Sequence, residues 1–172
     1  MSDLGKTELP ITTYLLIERQ RSVLTIWFNR PEAKNALNAQ MTEELVEVLS
    51  LVRDDRSIRT IVLRGKGGVF CAGGDIKGFK SEMQAIHATE VAKSNRSFGD
   101  VMMMLNEQPQ VVIILIEGAA IGGGLGLACV ADITLVTEDA RFRLSETSLG
   151  IPPAQIAPFV CERVGLTQAR RL

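Results

Sequence analysis

Two stretches of this sequence place bare backbone where a helix begins. In "TIVLRGKGGVFCAGGDIK", residues 60–77, and "VVIILIEGAAIGGGLGLACVAD", residues 111–132, an apolar run leads through small residues and glycines into a helical pattern. The N–H groups of a helix's first turn have no intrahelical acceptor and sit at the positive end of the helix dipole, so such a turn stabilises an anion. One turn of this kind is explained by close packing of a helix on a strand. Two in one domain can bring two N–H donors to one oxygen, an oxyanion hole in which a single donor is worth roughly 10²- to 10³-fold in rate. That chemistry needs a carbonyl substrate and an acid or base beside it.

Phosphate is the competing anion, and its motifs fail. "GKGG" at 65–68 is not the G-x-x-x-x-G-K-[ST] loop, and "GGGLGL" from Gly122 has Leu127 where the last glycine of a dinucleotide fingerprint belongs. A nucleotide-binding α/β domain is therefore the weakest reading. The net charge of −1, from 19 basic and 20 acidic residues without a basic cluster, argues against nucleic acid as a partner. Cys71, Cys129 and Cys161 are odd in number, far apart and set among small or apolar residues. They read as reduced core thiols, without metal or disulfide spacing. "MSDLGKTELP" lacks the basic and apolar regions of a signal peptide, and the longest uncharged segment, Gly118 to Ala131, holds five glycines and is too short to span a membrane. A cytoplasmic protein without a membrane partner is expected.

The elements that must position the two turns follow from periodicity. Residues 1–12 read as a flexible leader and 13–172 as one domain. "SVLTIWFN" at 22–29 is a strand ended by Arg30-Pro31. Met41, Leu45, Val48, Leu49 and Val52 recur at helical spacing, with Asn38 placed to cap the helix. Thr60–Gly65 and Val111–Ile116 read as buried strands. Helices are expected to start at Asp75, to occupy part of Ala85–Asn106 through Ile86, Phe98, Val101, Met102 and Leu105, and to run from Gly124 to Val130. "MMML" at 102–105 reads as flexible core filling. "ITLVT" and "RFRLS" read as strands around Glu138-Asp139-Ala140, and the alternation of strands with helices gives the α/β class.

Four segments, "NRPEAKNALN" at 29–38, "FCAGGDIK" at 70–77, "EGAAIGGGLGLACVADI" at 117–133 and "RFRLSETSLGI" at 141–151, together resemble the enoyl-CoA hydratase/isomerase (crotonase) superfamily. The resemblance runs from about Tyr14 to Leu172. It implies a spiral of ββα units and a coenzyme A thioester as substrate, with coenzyme A entering as part of that substrate and no tightly bound cofactor or metal. It assigns the oxyanion-hole N–H groups to Gly74 and Gly123, and the walls that grip the CoA moiety to Glu32, Ala33, Lys34, Ala36, Ala72, Asp75 and Ile76. The lone His87 matches no motif position and reads as a surface residue.

Hydratases of this family use two glutamates to place a water and exchange a proton α to the thioester. The second falls on Glu146, where burial beside apolar walls would raise the carboxyl pKa and suit it to proton transfer. The first falls on position 126, and this sequence has Gly126. A two-carboxylate mechanism therefore does not carry over intact. The remaining readings are a hydratase whose water is held by another group, a double-bond isomerase with one glutamate, and a non-catalytic CoA-binding or assembly module. The stretch from Ser145 to Leu172 resembles the branch that hydrates methylglutaconyl or isohexenylglutaconyl thioesters. In this family the chain continues into C-terminal helices that complete the pocket and the trimer or hexamer interface. Without them, exposed apolar surface is expected here.

Overall fold

The computed structural model describes residues 7–75 and 88–172. Its elements are β1 (Leu15–Gln20), β2 (Val23–Phe28), α1 (Ala39–Val52), β3 (Thr60–Gly65), α2 (Ala88–Asn106), β4 (Val111–Ile116), β5 (Ala119–Ile121), α3 (Gly123–Val130), β6 (Ile133–Val136), β7 (Arg141–Arg143) and α4 (Ala157–Ala169). The expected helix start at Asp75, together with Ile76, Ile86 and His87, runs into residues outside the described ones.

Two sheets grow side by side. The larger has the order β1-β2-β3-β4-β6, antiparallel only between β1 and β2. The smaller is the parallel pair β5-β7, extended by a bridge from Cys71 to Ala120 of β5. From β3 onward each turn of the chain thus lays one strand or bridge in each sheet and then enters a helix, which is the expected spiral of ββα units. Of the parallel central strands β4 is an unbroken apolar run and β2 and β3 are mostly apolar, with every second residue buried. Leu24, Ile26, Phe28, Ile61, Leu63, Ile114 and Ile116 join Met41, Leu45, Leu49, Met102 and Leu105 of α1 and α2 in one core.

Local signals position α1. Asn38 caps it as expected, its Oδ1 accepting from the Met41 N–H at 2.8 Å. At its other end the Gln110 carboxamide donates to the Val52 carbonyl at 2.8 Å. Glu44, within the helix and buried, accepts from the backbone N–H groups of Thr13, Tyr14 and Leu15 and so fastens the start of β1.

Several expectations need correction. β1 and β5 are strands that periodicity did not reveal. The helix after the glycine turn begins at Gly123 rather than Gly124, and "RFRLS" is a strand only through Arg143. Met102 is fully buried as core filling, but Met103 is half exposed. Cys71 and Cys129 are buried free thiols, whereas Cys161 is only partly buried. Exposed apolar side chains gather on Ile133, Leu135 and Val136 of β6, Phe142 of β7 and Leu166 of α4. Among the described residues no helix is long and apolar enough to cross a membrane.

α3 is buried along its whole length, and its glycines set how closely its neighbours approach. A Cβ added at Gly126 would lie 2.8 Å from the Met102 sulfur of α2 and closer still to the Cγ2 methyl of Ile156 at the head of α4. We predict that Gly126→Ala lowers stability by about 1–3 kcal/mol through overpacking, although alanine is the better helix former. Ile156→Leu, which removes that Cγ2 methyl, should recover part of the loss in chemical denaturation.

Asp55 gives a second prediction. The hydroxyl of Ser57, then that of Thr7 and the Ser57 N–H, with the Arg19 guanidinium at 3.2 Å, hold its carboxyl down to about 2. A carboxyl depressed below its unfolded value of about 3.9 stabilises the fold above that pH, and the contribution is lost as pH falls towards 2. Asp55→Asn should therefore be less stable than the wild type at pH 7, with the gap closing between about pH 4 and pH 2 in denaturation midpoints.

Candidate active site

Three chain segments meet where β5 gives way to α3. The first follows β2, where Pro31–Ala33 forms a 3-10 turn and Lys34 and Asn35 both adopt left-handed backbone. Asparagine is among the few residues that tolerate this conformation. Here its side chain is also fully buried: Oδ1 accepts from the Arg30 N–H, and Nδ2 donates to the Lys66 and Val69 carbonyls at 2.9 and 2.7 Å. Asn35 thereby ties this loop to the one that follows β3.

The second segment is Cys71–Asp75. The Ala72 N–H donates to the Lys34 carbonyl, the Leu37 N–H to the Gly73 carbonyl and the Asp75 N–H to the Leu37 carbonyl, at 3.0, 2.7 and 2.9 Å. Glu32, Ala33, Lys34 and Ala36 are thus laced alongside Ala72 and Asp75, while Ile76 lies outside the described residues. Arg30 reinforces the seam, one guanidinium nitrogen on the Asp75 carboxylate at 2.7 Å and another on the Ala36 carbonyl at 2.9 Å. Glu32 and Lys34 point into solvent.

The third segment is the glycine turn. The Cys71 N–H donates to the Ala119 carbonyl and the Ile121 N–H donates to the Cys71 carbonyl, so the first glycine turn is stitched to the second. A Cβ at Gly124 would lie 2.8 Å from both Cβ and the carbonyl oxygen of Cys71, which is the packing reason for that glycine. Gly122 has φ 51 and precedes the first helical residue, Gly123. Neither the Gly74 nor the Gly123 N–H has an acceptor among the described residues. Phe98 and Leu37 bring carbon to about 3 Å from where a Gly123 Cβ would stand. Burial pushes the Cys71 thiol up to about 12, so it stays protonated, and its sulfur accepts from the Gly73 N–H at 3.4 Å.

Glu146 comes to this junction from β7. The Gly122 N–H donates to the Arg143 carbonyl at 2.8 Å, and three residues later Glu146 opens a 3-10 turn through Leu149. The half-buried carboxylate lies over the glycine turn, its Oε1 2.7 Å from where a Gly122 Cβ would be. Ser145 Oγ lies 2.8 Å from that same point. At position 126 the volume that a side chain would enter is filled by Ile156 and Met102. No group of three or more His, Cys, Asp or Glu among the described residues is arranged to hold a metal.

Asn35, Arg30, Cys71 and Ser145 carry this geometry, and sequence reasoning assigned them no such part. Asn35 and Arg30 lie inside a quoted segment, but their partners are 31 to 45 positions away. The sulfur and hydroxyl positions follow only from how the sheets meet.

The fold is shared with related chains. Residues 18–172 match the enoyl-CoA hydratase/isomerase family. The solved structure of AtuE from Pseudomonas aeruginosa superposes with a TM-score of 0.90 at 52% identity, over 93% of this chain and 62% of that one. An enoyl-CoA hydratase/isomerase from Marinobacter aquaeolei gives 0.87 at 49% identity, over 92% and 62%. The mouse mitochondrial methylglutaconyl-CoA hydratase is 34% identical over 86% of this chain and 46% of its own length. The chain thus spans about half to three fifths of the length of these relatives. It belongs to the enoyl-CoA hydratase/isomerase family.

Proposed function

We propose that the protein hydrates an enoyl-CoA thioester, with the Gly74 and Gly123 N–H groups holding the thioester oxygen and Glu146 moving the proton. The observation that carries this is the junction itself, where two backbone N–H groups without acceptors among the described residues stand on adjacent turns beside a carboxylate. As the water oxygen bonds to the β carbon, Glu146 accepts its proton and the double-bond electrons move into the thioester. The resulting enolate oxygen is met by the two donors, and the proton on Glu146 then passes to the α carbon. Charge develops only at the oxygen the amides face, so they stabilise the transition state more than the ground state.

Glu32, Ala33, Lys34 and Ala36 with Ala72 and Asp75 form the wall along which the CoA moiety would lie, coenzyme A being part of the substrate. Hydratase names among relatives, including the methylglutaconyl-CoA hydratase of mouse and the enoyl-CoA hydratase AKT6-1 of Alternaria alternata, support hydration and a branched glutaconyl thioester as the substrate class. The exposed apolar side chains of β6, with Phe142 of β7, support a homotrimer or hexamer, and the free thiols support a cytoplasmic location. A second reading, double-bond isomerisation, is favoured by one observation: the space beside Gly126 is filled with carbon and sulfur, leaving Glu146 as the carboxylate at the turn.

The test follows deuterium from D₂O into acyl- and enoyl-CoA thioesters by NMR. Exchange with a new hydroxyl at the β carbon is the expected result, and Glu146→Gln should slow it by about 10²- to 10⁴-fold. Exchange with a shifted double bond and no hydroxyl selects the isomerase. An unslowed Glu146→Gln protein would remove Glu146 from the chemistry.

A further inference from the structure

A hydratase needs its water held as well as deprotonated, and the volume beside Gly126 has no room for a second carboxylate. We propose that Ser145 supplies the missing group: its hydroxyl and the Glu146 carboxylate together hold the water that adds to the double bond. This rests on the thioester reading above.

The placement of the hydroxyl carries the proposal. Ser145 Oγ stands 2.8 Å from where a Cβ on Gly122 would be and 3.8 Å from the same point on Gly73, so it faces both glycine turns at once. The atoms nearest to added Cβ atoms at Gly123 and Gly126 are carbon and sulfur, from Phe98, Leu37, Ile156 and Met102. Ser145 Oγ lies 3.5 Å from Glu146 Oε2. That is long for a hydroxyl bonded to a carboxylate, where about 2.7 Å is usual. The Ser145 hydroxyl thus donates only weakly to the carboxylate, and a water that donates to both oxygens gains a full hydrogen bond at each.

Ser145 is also held in place. It precedes the 3-10 turn of Glu146–Leu149 without capping it by its side chain, while its carbonyl accepts from the Ser148 N–H at 3.1 Å. Backbone bonding therefore fixes the residue and leaves the hydroxyl to rotate. The water would donate one hydrogen to Glu146 and the other to Ser145 Oγ, turning a lone pair towards the β carbon. The first proton transfers to Glu146 as the C–O bond forms, and the second stays on the product hydroxyl. Ser145 gains and loses no proton overall.

This separates two activities that a general loss of structure would lower together. Proton exchange at the α carbon of a saturated acyl-CoA needs the two amides and Glu146 but no water at the β carbon. Hydration of the matching trans-2-enoyl-CoA needs all of them. The experiment measures both rates in D₂O for the wild type, Ser145→Ala and Ser145→Thr. We expect the ratio of hydration to exchange to fall about ten- to a hundredfold in Ser145→Ala, the loss of one hydrogen bond to a charged assembly, and to return in Ser145→Thr, which keeps the hydroxyl. A ratio unchanged in Ser145→Ala, or lowered equally in both variants, overturns the proposal. So does a wild type that exchanges protons but never hydrates. A wild type that does neither overturns the thioester reading itself, and this inference with it.

Discussion

The backbone of Cys71 is the seam on which the rest depends. It pairs with β5 on both sides, taking the Ile121 N–H on its carbonyl and giving its own N–H to Ala119, and so holds the turn after β3 against the turn after β4. That closeness dictates the residues around it. Gly124 can carry no Cβ because Cys71 occupies the place, and a Cβ on Gly73 would lie 3.1 Å from the Ile121 carbonyl oxygen. The buried sulfur takes the Gly73 N–H, while the next N–H in the chain, on Gly74, has no acceptor among the described residues. The close approach that excludes side chains is thus also what exposes the backbone donors that the proposed chemistry uses.

The same packing logic limits the chemistry. α3 lies so close to α2 and α4 that Ile156 and Met102 fill the space beside Gly126. A glutamate there would meet a methyl group and a thioether, and a carboxylate in such surroundings would lack the partners that burial demands. The polar groups of the junction come instead from the turn after β7, where Ser145 and Glu146 are adjacent in sequence and both reach Gly122. In the proposed hydration one carboxylate serves both proton transfers, because the water's proton and the α proton are handled in succession.

What could be read from the sequence was what depends on neighbours in the chain. Val111–Ile116 is an unbroken apolar run, and the α1 series with its Asn38 cap lies within one helix and its flank, so each announces itself locally. β5 does not, because three residues, Ala119–Ile121, are a strand only by virtue of Arg141–Arg143 and Cys71 beside them. β1 escapes for a related reason: half of "LLIERQ" is polar and its order comes from pairing with β2 and from the Glu44 carboxylate at its start. At the site, the glycine turns were legible in the residues themselves, and the resemblance singled out Gly126 and Glu146, whose carboxylate lies over Gly122. That Ile156 fills the gap, and that Asn35 locks its loop to Lys66 and Val69, required the fold, since those partners lie about 30 positions away.

The central claim is that one thioester oxygen is met by two backbone amides from adjacent glycine turns. The most direct measurement is a crystal structure with an acyl-CoA bound. The account predicts the thioester oxygen at about 2.7–3.1 Å from both the Gly74 and Gly123 nitrogens, with the Glu146 carboxylate facing the α carbon. A thioester bound with its oxygen turned away from either amide, or with Glu146 on the opposite side of the acyl chain, would contradict it.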